Sequence, residues 1–211
     1  MSMARKFTCT CALGLFGLVA ACSDPAPPAG QGAASLYLNT TNAVVGSFCP
    51  ASVHWVNVPF AKAGGQQTSA TAKGALAVDG EAEMGVTCSV RANGSAFDVA
   101  ADLRSPAFDT TTTPPTPVNP TIIAIQTNIA DDQAGAQGTV SVKDAKSGTE
   151  YGSSACTFTV KHVNPSDALG VAPGRFWASV ACPSVRDSLN QDPMAVCQIG
   201  PGFVVLENCA Q

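Results

Sequence analysis

The chain predicts an all-β domain, an antiparallel β-sandwich stapled by about three disulfides with at most one short helix. Three observations carry that expectation. Short runs of alternating apolar and polar residues recur from residue 36 to the end, separated by Gly, Pro, Asn or Asp, and a period of two is the mark of a half-buried strand. No segment of ordinary helix length shows a helical period. Six cysteines, Cys49, Cys88, Cys156, Cys182, Cys197 and Cys209, lie beyond the N-terminal segment. In an exported chain an even number implies disulfides, and no Cys-x-x-Cys pair or nearby His offers a metal site instead.

Taken in order, the chain opens with Arg5 and Lys6 followed by an apolar run over 7–21. That run has the length of a cleavable secretory signal and is short for a bilayer span. It closes on Leu18-Val19-Ala20-Ala21-Cys22, with Ser23 next, and this pattern resembles the lipobox of bacterial lipoproteins. The resemblance implies that residues 1–21 are removed, that Cys22 is lipidated with palmitate-like acyl chains, and that Ser23 directs the protein to the outer membrane. Several acyl chains anchor stably, because each buried methylene contributes about 0.8 kcal/mol and a single chain is marginal. Residues 22–34, with Pro25, Pro27, Pro28, Gly30 and Gly32, read as a flexible tether. The remainder, 35–211, is sized for one domain.

Within that domain, 36–38 and Val44-Val45 are short strand-like runs, 53–58 is a longer one ended by Pro59, and 61–73 reads as a loop. Val86, Cys88 and Val90 then alternate with polar residues, as do Phe97, Val99, Ala101 and Leu103. Asn93-Gly94 between the two sets predicts a hairpin with a type I′ turn. Residues 110–120 are rich in Thr and Pro and predict a surface loop with too few backbone donors for a sheet.

An Ile-rich strand over 121–129 ends at Asp131-Asp132, and a strand over 137–144 ends at Lys146-Ser147-Gly148. Gly152-Ser153-Ser154 reads as a turn before a strand that aligns Cys156, Phe158 and Val160. The next strand opposes Phe176, Ala178, Val180 and Cys182 to Arg175, Trp177, Ser179 and Ala181. Cys88, Cys156 and Cys182 therefore fall on inward sets. Val185 and Leu189, four apart, suggest one helical turn within 183–190, and 203–206 makes a last strand. Six cysteines allow fifteen pairings, of which proximity in sequence favours Cys49–Cys88, Cys156–Cys182 and Cys197–Cys209.

Charged residues make up only 12% of the chain and the net charge is −4, so no basic face is available for nucleic acid, which is set aside as a partner. The mature chain offers only His54 and His162 as bases, and it has no Gly-x-Ser-x-Gly elbow. A metal shared by those histidines with Asp131 or Asp132 would need distant segments to converge, and Asp131-Asp132-Gln133 lacks the alternating oxygens of a Ca²⁺ loop. Asp98 and Asp102 share one strand face about 13 Å apart at ~3.3 Å per residue, beyond the reach of paired glycosidase carboxylates. No catalytic group, metal or cofactor is assigned.

Four aromatic residues, Tyr37, Trp55, Tyr151 and Trp177, are the candidates for stacking against a sugar, and Trp177 falls on the polar set of its strand. Residues 154–160, 174–183 and 207–209 give the mature part a likeness to cysteine-containing, Ala/Gly/Thr-rich lipoproteins of myxobacterial type, a resemblance that implies no activity. The expectation is a lipid-anchored cell-envelope protein whose non-catalytic β-sandwich domain has a structural or protein-interaction role. Its membrane contact is through acyl chains, and its other partner is an envelope protein or, alternatively, a glycan or envelope polymer; a hydrolase is the third class.

Overall fold

Alternation with period two becomes strand along most of the chain. The computed structural model describes residues 27–40, 45–51, 55–58, 76–109, 113, 116–143, 147–160 and 169–211, and among these every regular element is a strand. They are β1 Gln31–Thr40, β2 Trp55–Val58, β3 Ala77–Val78, β4 Gly85–Asn93, β5 Ala96–Asp109, β6 Thr116–Ile129, β7 Ala136–Lys143, β8 Glu150–Thr159, β9 Gly170–Ala172, β10 Arg175–Asp187 and β11 Val196–Glu207.

The strands form one antiparallel sheet in the order β2-β1-β11-β10-β8-β7-β6-β5-β4, with β3 paired to β1 and β9 to β10. The sheet folds over on itself, so that β1 and β2 lie against β5 and β6. Both layers of the sandwich thus come from a single sheet. Leu36, Leu38, Leu103, Ile123, Ile125, Phe158, Phe176 and Leu206 are fully buried in one core between the layers. The fold also seals its far edge: Asp79 Oδ1 accepts a hydrogen bond from the Val86 amide at 2.9 Å. Ala210 bridges β4, its carbonyl accepting from the Val90 amide at 2.8 Å and its amide donating to the Cys88 carbonyl at 3.0 Å. Covering an edge in this way removes a template for unwanted strand pairing.

The expected disulfide set is correct, but only one of the three pairings is. The bonds are Cys49–Cys197, Cys88–Cys209 and Cys156–Cys182. Sheet order is the reason. β11 pairs with β1, which sets Cys197 opposite Thr40, while the Cys49 amide donates to Thr40 Oγ1 and Phe48 bridges Ala195. The segment after β11 runs along β4 and carries Cys209 to Cys88. Cys156 and Cys182 are directly opposed on neighbouring strands, one position beyond the Thr157–Ala181 pair.

Other expectations are corrected by pairing that local pattern does not reveal. The sheet begins at Gln31, so 31–34 belong to β1 and not to the tether. Val45 is 95% exposed in a turn beside Gly46 at φ 80°. The β4–β5 loop is Gly94-Ser95, since Asn93 pairs with Ala96; positive φ occurs there at Gly94 alone, the pattern of a II′ turn and not the expected I′. The two registers differ by two residues, so every side chain keeps its face.

Residues 116–120 are strand despite Pro117 and Pro120. Among the described residues they pair with β5 alone, the β6–β7 ladder beginning at Ile122, and a missing N–H is tolerated on an unpaired side. Gly152-Ser153-Ser154 lies inside β8, where the register with β7 shifts between Gly138 and Val140. The expected helical turn is absent: β10 continues through Val185 to Asp187, and Leu189 is 85% exposed. The last strand starts at Val196, seven residues earlier than expected, with a register irregularity around Gly200-Pro201.

Candidate functional site

The outward faces of the two layers differ in chemistry. On the layer β4-β5-β6-β7, hydrogen-bonded register sets outward residues in rows across the strands. One row is Ser89, Ala100, Gln126 and Thr139, and the next is Thr87, Asp102, Ala124 and Ser141. Arg91, Asp98 and Asn128 make a third. Because Ala100 and Ala124 are short among longer neighbours, this face is hollowed into two adjoining clefts. Their volumes are about 610 and 460 Å³, and they share Ser89, Arg91, Ala100 and Gln126. Ala210 and Cys88 stand at the β4 rim, so the disulfide-held tail forms part of the wall.

Hydrogen-bonding groups stand among a lining that is, by surface, somewhat more apolar than polar, the alanine methyls and side-chain stems supplying the apolar part. Asp98 is held in place by amides, accepting from Asn128 Nδ2 at 2.6 Å and from Asn93 Nδ2 at 2.9 Å. Thr139 and Gln126 are exposed, as are Thr87 and Asp102. The volumes are those of small-molecule sites, but both hollows are shallow and open, nearer to a depression on the sheet face than to an enclosed cavity. Sequence reasoning assigned Asp98 and Asp102 to a solvated face and missed the cleft. The signal was present as alanines and polar residues at alternate positions of 87–89, 100–102, 124–126 and 139–141, but their juxtaposition depends on register.

The outer face of β2-β1-β11-β10 carries aromatic residues. Tyr37 and Trp55 are paired across β1 and β2 with ring centroids 4.7 Å apart and planes at 40°. Phe203 lies opposite Ser35 on one side and Ser179 on the other; sequence reasoning read it only as a strand residue. Trp177 lies opposite Val205. Its Nε1 donates to Glu207 Oε1, and the Arg175 guanidinium sits 4.8 Å from its ring centroid. Arg175 and Glu207 also pair at 3.2 Å. Trp177 is thus half-buried with one ring face already covered by a cation. Tyr151 is not on either outer face: it pairs with Val142 and Asp187 and is 3% exposed in the core.

Cys22, His54 and His162 lie outside the described residues. Asp131 and Asp132 are exposed in the β6–β7 turn. Among the described residues, no three His, Cys, Asp or Glu side chains come together as a metal site. No protein family, curated protein or solved structure matches the chain.

Proposed function

We propose that the chain is a lipid-anchored cell-envelope protein whose β-sandwich is a non-catalytic binding domain, and that the cleft across β4–β7 is its ligand surface. The observation that carries this reading is the cleft itself, an open hollow on a hydrogen-bonded sheet whose two central rows are hydroxyl, amide, carboxylate and methyl groups. Export and anchoring rest on the lipobox-like sequence at Cys22, and three disulfides accord with an oxidising compartment. A second surface, for an envelope protein, is favoured by the half-buried Tyr37, Trp55, Phe203 and Trp177 on the opposite layer, since aromatic side chains are enriched where proteins meet.

A photo-crosslinking residue at Thr139 in the cleft, compared with one at Asn57 beside Trp55 and one at Ser188 away from both, tests the two surfaces in intact cells. The cleft position is expected to give the dominant adduct; equal or absent yields at all three would remove the proposal. Anchoring is tested by Cys22→Ser. That chain is expected to leave the membrane fraction and to lose incorporated palmitate, and retention in the membrane would refute the lipid anchor.

A further inference from the structure

We infer that the cleft takes an uncharged, extended glycan lying across the strands, an assignment that rests on the cleft being the ligand surface. Its rows step from β4 to β7 at ~4.8 Å per strand, close to the advance of a pyranose unit along an extended chain, and four strands span about 14 Å at that spacing. Each step offers a different group: Ser89, Ala100, Gln126 and Thr139 in one row, with hydroxyl, carboxylate and methyl groups in the row beside it. A sugar presents the same mixture, hydroxyls that both donate and accept around a ring whose C–H face rests well on small methyl groups. Ala100 and Ala124 supply that floor, while Asp102 and Gln126 can each engage adjacent hydroxyls.

Charge narrows the choice. The cleft holds one guanidinium, Arg91, against the carboxylates of Asp98 and Asp102, and the chain carries a net charge of −4, so a polyanion is disfavoured. An extended peptide would more naturally add to a sheet edge, and the β4 edge beside this cleft is already bridged by Ala210.

The test uses the full chain, exported and purified in detergent with its disulfides formed, and titrated calorimetrically with cellohexaose, β-1,4-mannohexaose, hexa-N-acetylchitohexaose and hexagalacturonate. At least one neutral hexamer is expected to bind saturably, with the hexagalacturonate weaker by about tenfold or more. Ala124→Phe, which fills the floor, is expected to abolish binding. Gln126→Ala should weaken it about three- to tenfold, the loss of one hydrogen-bonding group. Circular dichroism establishes that both variants are folded. Emission from Trp55 and Trp177, both on the other layer, should not move.

Binding that survives Ala124→Phe, or that shifts the Trp emission, would put the sugar elsewhere and overturn the assignment. Failure of all three neutral hexamers to bind the folded chain would overturn the ligand class. In that event a Thr139 adduct with a protein leaves the cleft as a binding surface, and no adduct removes both readings.

Discussion

Replacing Cys88 and Cys209 together by Ser is expected to lower the unfolding free energy by about 4 kcal/mol, the largest effect among the three disulfides together with that of Cys49–Cys197. The Cys88–Cys209 bond spans a sequence separation of 121 residues and the Cys49–Cys197 bond 148, against 26 for Cys156–Cys182. Chain entropy makes closure of the two long loops worth about 5 kcal/mol each and of the short one about 3.5 kcal/mol, with measured losses usually somewhat smaller. For a domain of this size the melting temperature should fall by roughly 8–16 °C.

Cys88–Cys209 has a second consequence that the other two lack. Without it, the hydrogen bonds joining Ala210 to Val90 and Cys88, with that from the residue-209 amide to the Gly174 carbonyl, must hold the tail. Hydrogen exchange at the Val90 amide should therefore accelerate more than at Val99, which lies on the next strand. A stability loss under about 1 kcal/mol, or unchanged protection at Val90, would show that the tail is held by its backbone contacts and not by the bond.

Phe158→Ala is expected to destabilise the domain by about 4 kcal/mol, at the upper end for a single core substitution. Phe158 is fully buried on β8, the strand that joins the two layers, and it is registered with Ala136 on one side and Val180 on the other. Its ring lies 6.1 Å from that of Phe176. It also occupies the space that a side chain at position 138 would need: a Cβ built on Gly138 would stand 2.6 Å from the Phe158 ring and 2.3 Å from the Gln126 carbonyl oxygen. The surrounding strands are hydrogen-bonded on both sides and cannot collapse into the vacated volume, so the cavity persists.

Phe97→Ala offers the contrast. Phe97 is only partly buried, packed at the core's margin near the β4–β5 turn, and should lose less than half as much. Urea denaturation of both chains checks the difference. Comparable losses would mean that Phe158 does not occupy a rigid site.

What local pattern could disclose is visible at particular residues. Val86, Val90, Val99 and Leu103 are buried as their alternation indicates, and Asp98 and Asp102 face outward. Trp177 falls on the polar set and is found on the outer face. Tyr151 was misjudged because it lies outside the clear alternation of 156–160, with a register shift between it and that set. The prolines of 116–120 were misjudged because their tolerance depends on which strand edge they face, and among the described residues the β6–β7 ladder begins only at Ile122. The polar cleft was hidden because Ala100, Gln126 and Thr139 belong to three strands and meet only through their ladders.

The sequence by itself determined which residues of 86–104, 156–160 and 176–182 point inward, which six cysteines are available to the domain, and that the domain is all-β, because the alternation of side chains along a strand is set within the strand. Only the tertiary structure decided which strands are neighbours. Inserting β11 between β1 and β10, and laying the segment after it along β4, replaced two pairings favoured by proximity with bonds spanning more than a hundred residues. It also brought short and polar side chains of four strands together around an open hollow. Strand partnership is a contest among non-local contacts, won by the arrangement that buries the whole inward face at once, and no short window of sequence records its outcome.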